Sequence, residues 1–464
     1  MDRWGIGAGC NRPAMPNAIT AQTQRNHCAQ RCTLDHVMSR IAVIGAGITG
    51  VTTAYALARR GHHVTVIDRH RYAAMETSFA NGGQLSASNA EVWNSRATVF
   101  KGLRWMLRRD APLLMNPRPS WHKYSWIGEF LRQIPNYRSN TIETVRLAIA
   151  AREHLFSIAQ RESIEFDHEQ RGILHFYATR KEFESATKVN ALLREGGLDR
   201  RAVTPEEIRA IEPTLHGDFH SGFFTESDST GDIHKFTRGL ALACERLGVE
   251  FHYDTTVQSI DDADNAGVSI ATVRDALPAV STFDRVVICA GVGSRALAAQ
   301  IGDHVNVYPV KGYSITVCLD DPESREAAPW VSLLDDAAKI VTSRLGADRF
   351  RIAGTAELNG ANRDIRSDRI EPLVRWARTH FPSISTSRVI PWAGLRPMLP
   401  SMLPRVGRGR QRNVFYNTGH GHLGWTLSAA TADAVATLIS DEIVESRPLV
   451  VASTTTLARA VQAD

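Results

Sequence analysis

The stretch Arg40–Asp68, RIAVIGAGITGVTTAYALARRGHHVTVID, limits what this chain can fold into more than any other part of it. Ile41–Ile44 is a short, β-rich apolar run suited to a buried parallel strand. Gly45-Ala46-Gly47-Ile48-Thr49-Gly50 follows. Gly45 permits a tight turn, Gly47 lets a pyrophosphate reach the backbone, and Gly50 lets the next helix pack against the strand. An Ala-rich helix over about Ile48–Arg60 is expected to stop at Gly61, its N-terminal N–H groups and dipole facing the phosphates. His63–Ile67 reads as the next strand. Asp68 closes it, placed to accept hydrogen bonds from ribose hydroxyls, with Arg69 beside it. Strand, helix and acid in this order make a dinucleotide site, which the glycines alone would not. The run Gly5–Cys10 imitates the motif, but no strand precedes it.

Three later segments bear on which dinucleotide is held. Val249–Ile260 reads as two short strands after a helix, with Val257 near the cofactor. Arg285–Ser294 is a buried strand ending in Ala290-Gly291, whose backbone faces the dinucleotide a second time. Asn413–Ile439 is a strand, a Gly/His loop and a long helix. The nucleotide fold therefore opens near residue 40 and closes near 440. A nicotinamide dehydrogenase usually completes its cofactor domain in one block, so interleaving suits an enclosed FAD. The expected class is α/β: a Rossmann-like FAD-binding domain interleaved with an antiparallel-sheet α+β substrate domain. The first takes residues 38–95, 141–165, 225–305 and 394–445; the second takes 96–140, 166–224 and 306–393. Residues 1–37 are polar, lack the apolar core of a secretion signal, and are expected to be a disordered tail or a stretch ahead of a natural start at Met38.

Composition removes other classes. A net charge of +5, from 54 basic and 49 acidic residues, is too small an excess to imply nucleic acid. No run of 18 apolar residues is present, so no transmembrane helix is expected. Of Cys10, Cys28, Cys32, Cys244, Cys289 and Cys318, no two pairs have metal spacing; no metal is expected, and the cysteines read as small hydrophobes in a reducing compartment. Thr98–Arg138 is distinctive: Lys101, Arg104, Arg108, Arg109, Arg118, Lys123, Arg132 and Arg138 stand against Asp110 and Glu129, with Trp105, Trp121 and Trp126 among them. Such a segment suits an anionic membrane surface. Helices packed on the substrate sheet are the alternative. The expected location is cytoplasmic, either soluble or at the inner face of the cytoplasmic membrane.

Thr77–Ser86 (TSFANGGQLS), Pro309–Ile315 (PVKGYSI), Gly394–Pro400 (GLRPMLP) and Asn417–Ser428 (NTGHGHLGWTLS) together resemble the D-amino-acid oxidase superfamily of flavoenzymes. Within it, the chain is most similar to the bacterial D-amino-acid dehydrogenases, with glycine and sarcosine oxidases more distant. The resemblance runs from Met38 to about Ile443. It implies FAD-dependent oxidative deamination of small D-amino acids: a hydride leaves the α-carbon for flavin N5, and the imine hydrolyses to a 2-oxo acid and ammonia. Electrons would pass to a quinone or other respiratory acceptor. Oxidation of a secondary amine, of the sarcosine, glycine or D-proline type, is the alternative reaction. A flavin-bearing electron-transfer chain that needs partner subunits is the alternative class.

The resemblance also assigns residues. Arg396 corresponds to the arginine that clamps the substrate carboxylate, a task its planar fork suits. Thr77, Ser78, Asn81, Gly82 and Gly83 line the pyrophosphate and flavin, small residues permitting close approach. Gly419, His420, Gly421, Leu423, Gly424, Trp425 and Thr426 open the last helix, whose N–H groups would stabilise charge on the flavin's N1–C2=O edge. Lys311 and Tyr313 share a strand face and are candidates beside the flavin and amino acid. His234 follows Asp232, the expected N-cap of a helix. His175 and Tyr177 alternate on a strand that would roof the pocket. No histidine lies between His70 and His122, and no cysteine follows Cys318, so FAD is expected to be non-covalent. The turn MLPSMLP lacks the Asp-Gly of relatives.

Overall fold

The structure, a computed structural model, describes residues 38–105, 112–262 and 267–445. Alternation along Arg40–Ile44 sets its architecture. Ile41 and Val43 point into one apolar cluster, Ala42 and Ile44 into another, and all are buried, as a strand covered on both faces requires. This strand lies in a six-stranded sheet between Arg285–Ile288 and His63–Ile67. Glu250–His252 extends the sheet past His63–Ile67, and Val414–Thr418 extends it past Arg285–Ile288, all parallel. Arg405–Arg408 closes that edge as the antiparallel member. Ile48–Ala58, Ile233–Arg246 and Gly424–Glu445 bury their apolar residues against one face. The sheet of Thr255–Asp262, Val268–Arg274 and Leu277–Phe283 covers the other.

A nine-stranded, mostly antiparallel sheet forms the second layer system. Its long strands are Tyr308–Cys318, paired on one side with Val389–Met398 and on the other with Arg349–Leu358. Ile340–Leu345 and then Ser332–Asp335 continue it beyond Arg349–Leu358. Ile173–Tyr177, Ser221–Thr225 and Arg201–Val203 complete that side. The helix Ser367–His380 packs its buried Leu373, Trp376 and Ala377 on this sheet. The six-stranded sheet thus draws on residues 40–67, 250–288 and 405–418, and the nine-stranded sheet on 113–115, 173–225 and 308–398. The expected boundaries at 140/141 and 393/394 fall inside the helix Tyr137–Glu162 and the strand Val389–Met398, which both continue unbroken.

The basic, tryptophan-bearing segment divides in two. Lys123 is buried and donates to the carbonyls of Asn116 and Arg118. Trp126 is buried and donates to the carbonyl of Met398. Both serve packing, because the helix Trp121–Arg132 turns one face to the nine-stranded sheet; Trp121, on its other face, is 82% exposed. Arg108 and Arg109, the run Gly5–Cys10, and Cys10, Cys28 and Cys32 lie outside the described residues. Cys244, Cys289 and Cys318 are buried free thiols. Among the described residues no helix is long and apolar enough to cross a membrane, and no three acid, histidine or cysteine side chains cluster to hold a metal.

Candidate functional site

The turn after the first strand is built by exclusion of side chains. Gly45 has φ +108°, and a Cβ there would stand 2.6 Å from the carbonyl oxygen of Cys289. A Cβ on Gly50 would collide with the carbonyl of Gly45, so Gly50 brings the helix onto the strand and itself stays off the cavity wall. Gly47 differs: its Cβ would meet only Ser78 Oγ, at 3.6 Å. That leaves an open cradle at the start of Ile48–Ala58, where first-turn N–H groups lack helical partners. Ile48 N–H donates to Ser78 Oγ at 3.0 Å, tying the 77–83 loop to this end.

Asp68 has a second task besides any ribose. Its Oδ2 accepts from Ala46 N–H at 2.6 Å and its Oδ1 from His70 N–H at 2.8 Å, stitching the turn to the end of His63–Ile67. Glu76, which no sequence feature marked, gathers Arg69, His70 and Arg363 around its carboxylate at the rim. Burial pushes its pKa up, but the hydrogen bonds from Arg363, His70 and Arg69 outweigh it and hold the group at about 2.

A cavity of about 1280 Å³ runs from this turn past the 77–83 loop to Arg396. Its wall includes Gly45, Gly47, Ile48, Thr49, Asp68, Arg69, Thr77, Ser78, Asn81, Gly82 and Gly83. Val257, Ala290 and Gly291 join them, as does the whole run from Gly419 to Thr426. In that run Gly419 (φ +79°) and Gly421 (φ +59°) carry backbone that a side chain would strain. Thr426 Oγ1 accepts from Ser86 N–H at 3.2 Å. His420 is buried, with Nε2 on Thr431 Oγ1 at 3.0 Å, and burial drives its pKa down to about 3. Two helix N-termini, from opposite ends of the chain, thus border one cavity. Its size, the open cradle at Gly47 and these donors fit a bound FAD.

Arg396 projects from Val389–Met398 into the same cavity. Across the sheet, Lys311 pairs with Glu357 and Tyr313 with Gly354, so Gly312 faces both Thr355 and Ala356, a β-bulge. Thr355 sits at φ +59°, a strained position for a β-branched residue. The bulge turns its carbonyl toward Arg396, whose Nη1 donates to it at 3.0 Å. The guanidinium lies where a side chain on Gly312 would be. Among the described residues no carboxylate pairs with Arg396. Burial lowers its pKa only to about 10, so it stays charged at neutral pH. An unpaired, half-buried cation in a cavity wall calls for an anion.

Lys311 and Tyr313 do share a face, on which Lys311 lies off the cavity wall while Tyr313 borders it. Lys311 is fully buried, its Nζ on Asn362 Oδ1 at 2.7 Å and 3.3 Å from Glu357 Oε2. Tyr313 touches the cavity wall, yet its hydroxyl donates to Glu357 Oε2 at 2.6 Å, and burial and then that bond raise its pKa. Both side chains commit their polar ends to Glu357 instead of the cavity. His234 also lies off the cavity, against Phe79 at 4.9 Å between ring centroids, while Asp232 caps its helix. His175 and Tyr177 do line the cavity.

His422 belongs to the Gly/His loop that the sequence marks, but its surroundings, and the wall residues Asp336 and Arg200, carry no signal in the sequence. His422 stacks on Trp93 at 5.0 Å, has Nε2 on the carbonyl of Asn89 at 3.1 Å, and is held neutral by burial, its pKa about 4. Asp336 binds Lys339 at 3.0 Å and accepts from the Tyr177 hydroxyl at 3.0 Å. Arg200 lines the wall near Tyr177. These groups come together only through pairing of distant strands.

The family described as FAD dependent oxidoreductase matches residues 40–438. The chain is 63% identical over 406 residues to D-amino acid dehydrogenase 3 of Mesorhizobium japonicum, covering 88% of this chain and 98% of that protein. It is 41% identical over 408 residues to D-amino acid dehydrogenase of Dechloromonas aromatica, covering 86% and 97%. In fold it is similar to glycine oxidase from Bacillus cereus, with TM-score 0.66 at 20% identity over 87% of this chain and 95% of that one. L-proline dehydrogenase from P. horikoshii gives 0.68 at 17% identity over 87% and 94%.

Proposed function

The chain belongs to the family of FAD-dependent oxidoreductases, and from that premise we propose that it oxidatively deaminates small D-amino acids to 2-oxo acids and ammonia. The similarity to D-amino acid dehydrogenases supports the reaction. The observation that carries the site is the unpaired guanidinium of Arg396 at the wall of the cavity the glycine turns enclose. FAD, when bound, takes the hydride equivalent from the α-carbon of the amino acid.

The residues then divide the work. Gly47 and Thr49 would offer backbone N–H groups to the pyrophosphate, Ile48 N–H being given to Ser78 Oγ, and Asp68 keeps acceptor capacity for ribose beyond its two backbone bonds. The N–H groups opening Gly424–Glu445, at the cavity wall, would serve the flavin's polar edge. Arg396 takes the α-carboxylate in a two-pronged grip, its angle set by Thr355 O and its room by Gly312. His422 and His175 remain neutral, so the substrate ammonium meets no repulsion from them. The 77–83 loop carries neither histidine nor cysteine, and we take FAD to be held non-covalently. We further assign electron delivery to a quinone-type acceptor. Exposed Phe100, Trp121 and Tyr124 (73%, 82% and 48%) are the aromatic residues of this segment that would reach an anionic membrane.

Anaerobic addition of D-alanine to the yellow holoenzyme is expected to bleach the flavin. Arg396→Ala is expected to keep FAD and lose about 2–5 kcal/mol of substrate binding, the cost of removing one partner of a buried charge pair. Unchanged kcat/KM in that variant overturns the clamp. A colourless purified protein overturns the whole reading.

A further inference from the structure

A buried guanidinium persists only where acceptors surround it. Arg344 gives its donors to the carbonyls of Gly346, Ala328, Arg325 and Ala347. Arg351 gives its own to Thr316 Oγ1 and the carbonyl of Asn81. Arg200 is buried to the same degree, 5% exposed, yet its Nε and Nη2 have no acceptor. Among the described residues no carboxylate lies within ion-pair distance of it. Its neighbours are the Phe223 ring, with the guanidinium carbon 4.8 Å from the centroid, and the Tyr177 hydroxyl.

Arg200 lines the same cavity as Arg396. Lys339 lies on that wall as well: charge on Arg396 and Lys339 disfavours protonation of His422, and charge on Arg200 and Lys339 disfavours protonation of His175. The other charges there are committed. Lys339 and Asp336 neutralise each other, Glu91 accepts from the Tyr137 hydroxyl at 2.6 Å, and Glu182 closes the capping box at Thr179. The wall therefore carries two guanidinium groups without a carboxylate, and only one of them is used by an α-carboxylate. Exposed Lys181 and Lys188 stand on the helix Arg180–Glu195 at the same cavity and favour approach of anions.

We propose that Arg200 is a second anion subsite, which takes the side-chain carboxylate of an acidic amino acid while Arg396 holds its α-carboxylate. The substrate class then includes D-aspartate and D-glutamate, preferred over their amides. This rests on the oxidative-deamination reading above. The amide isostere leaves the buried cation unpaired, so Arg200 discriminates between them.

The test compares wild-type holoenzyme with Arg200→Met and Arg200→Gln on D-glutamate against D-glutamine, with D-alanine as control, and titrates glutarate and butyrate by their perturbation of the bound flavin's absorbance. Wild type is expected to favour the acid. Either variant is expected to lose at least ~10-fold in kcat/KM on D-glutamate while changing less than ~3-fold on D-glutamine and D-alanine. Glutarate affinity is expected to fall in parallel, with butyrate affinity unmoved. An equal loss on acid and amide, or unchanged glutarate affinity, overturns the subsite. Absence of D-alanine turnover in wild type instead overturns the deamination reading, and the glutarate titration still decides the role of Arg200. If one variant fails to retain FAD, the other carries the comparison.

Discussion

Gly312 lacks a side chain for a reason that lies on the neighbouring strand: the Arg396 guanidinium occupies the space. Gly312→Ala forces that group aside and off the Thr355 carbonyl. Misplacement by about 1 Å can cost a factor of about 100 in rate. The kcat/KM for D-alanine is therefore expected to drop by roughly tenfold or more, while melting temperature and FAD content hold. Steady-state kinetics beside a thermal melt checks this, and unaltered kinetics would mean that the arginine finds its position without the glycine. Thr355 adjoins the same point. Its φ of +59° sits in backbone space that favours glycine, so the bulge stores strain beside the substrate clamp.

At the scale of elements, the Gly/His loop before Gly424–Glu445 and the roof strand Ile173–Tyr177 are built around histidines that burial keeps uncharged. His420 is held at about 3, and His422 and His175 at about 4, below the ordinary 6.5. A depressed histidine pKa means the unfolded chain takes up protons first. The stability these groups contribute is therefore complete above about pH 6.5 and declines as pH falls toward 4. Melting temperature is expected to drop between pH 6.5 and 5, with a shallower slope in His420→Asn; a level profile over that interval would contradict the neutral assignment. The loop itself was legible in the sequence, since glycine spacing and a following Ala-rich helix are local features. Its histidine partners were not, because Thr431 lies well inside the following helix and Asn89 hundreds of residues away in sequence. For Lys311 and Tyr313, alternation gave the shared face correctly. Which face meets the cavity depends on how the sheet is covered, and that is decided by Glu357 and the helix Ser367–His380. Arg396 was reached only through the family resemblance; nothing in its neighbourhood along the chain distinguishes it from a strand arginine. Arg200, whose exposure of 5% follows from Phe223 and distant strands, gave no sign.

At the scale of the whole molecule, the interleaving itself was readable because each return to the six-stranded sheet is a short buried strand with its own flanking turn. The bulge and the exact strand breaks were not, since they arise from pairing between segments far apart. The membrane reading belongs to this scale as well. Exposed Trp121 projects from a helix whose opposite face packs inward, with exposed Arg118 just before that helix and exposed Arg132 at its end. Holoenzyme mixed with anionic liposomes is therefore expected to float with them at low salt and to be released as salt rises. Protein that stays in the bottom fraction at low salt removes the idea.

The cofactor cleft is bounded by the first strand's turn and by the loop that opens the final helix. During synthesis the early half of that cleft emerges long before the late half exists. Flavin capture must then wait until translation is nearly finished, so nascent or prematurely terminated products remain colourless and open to proteases, and acquisition of the yellow pigment doubles as a check that the polypeptide was made whole.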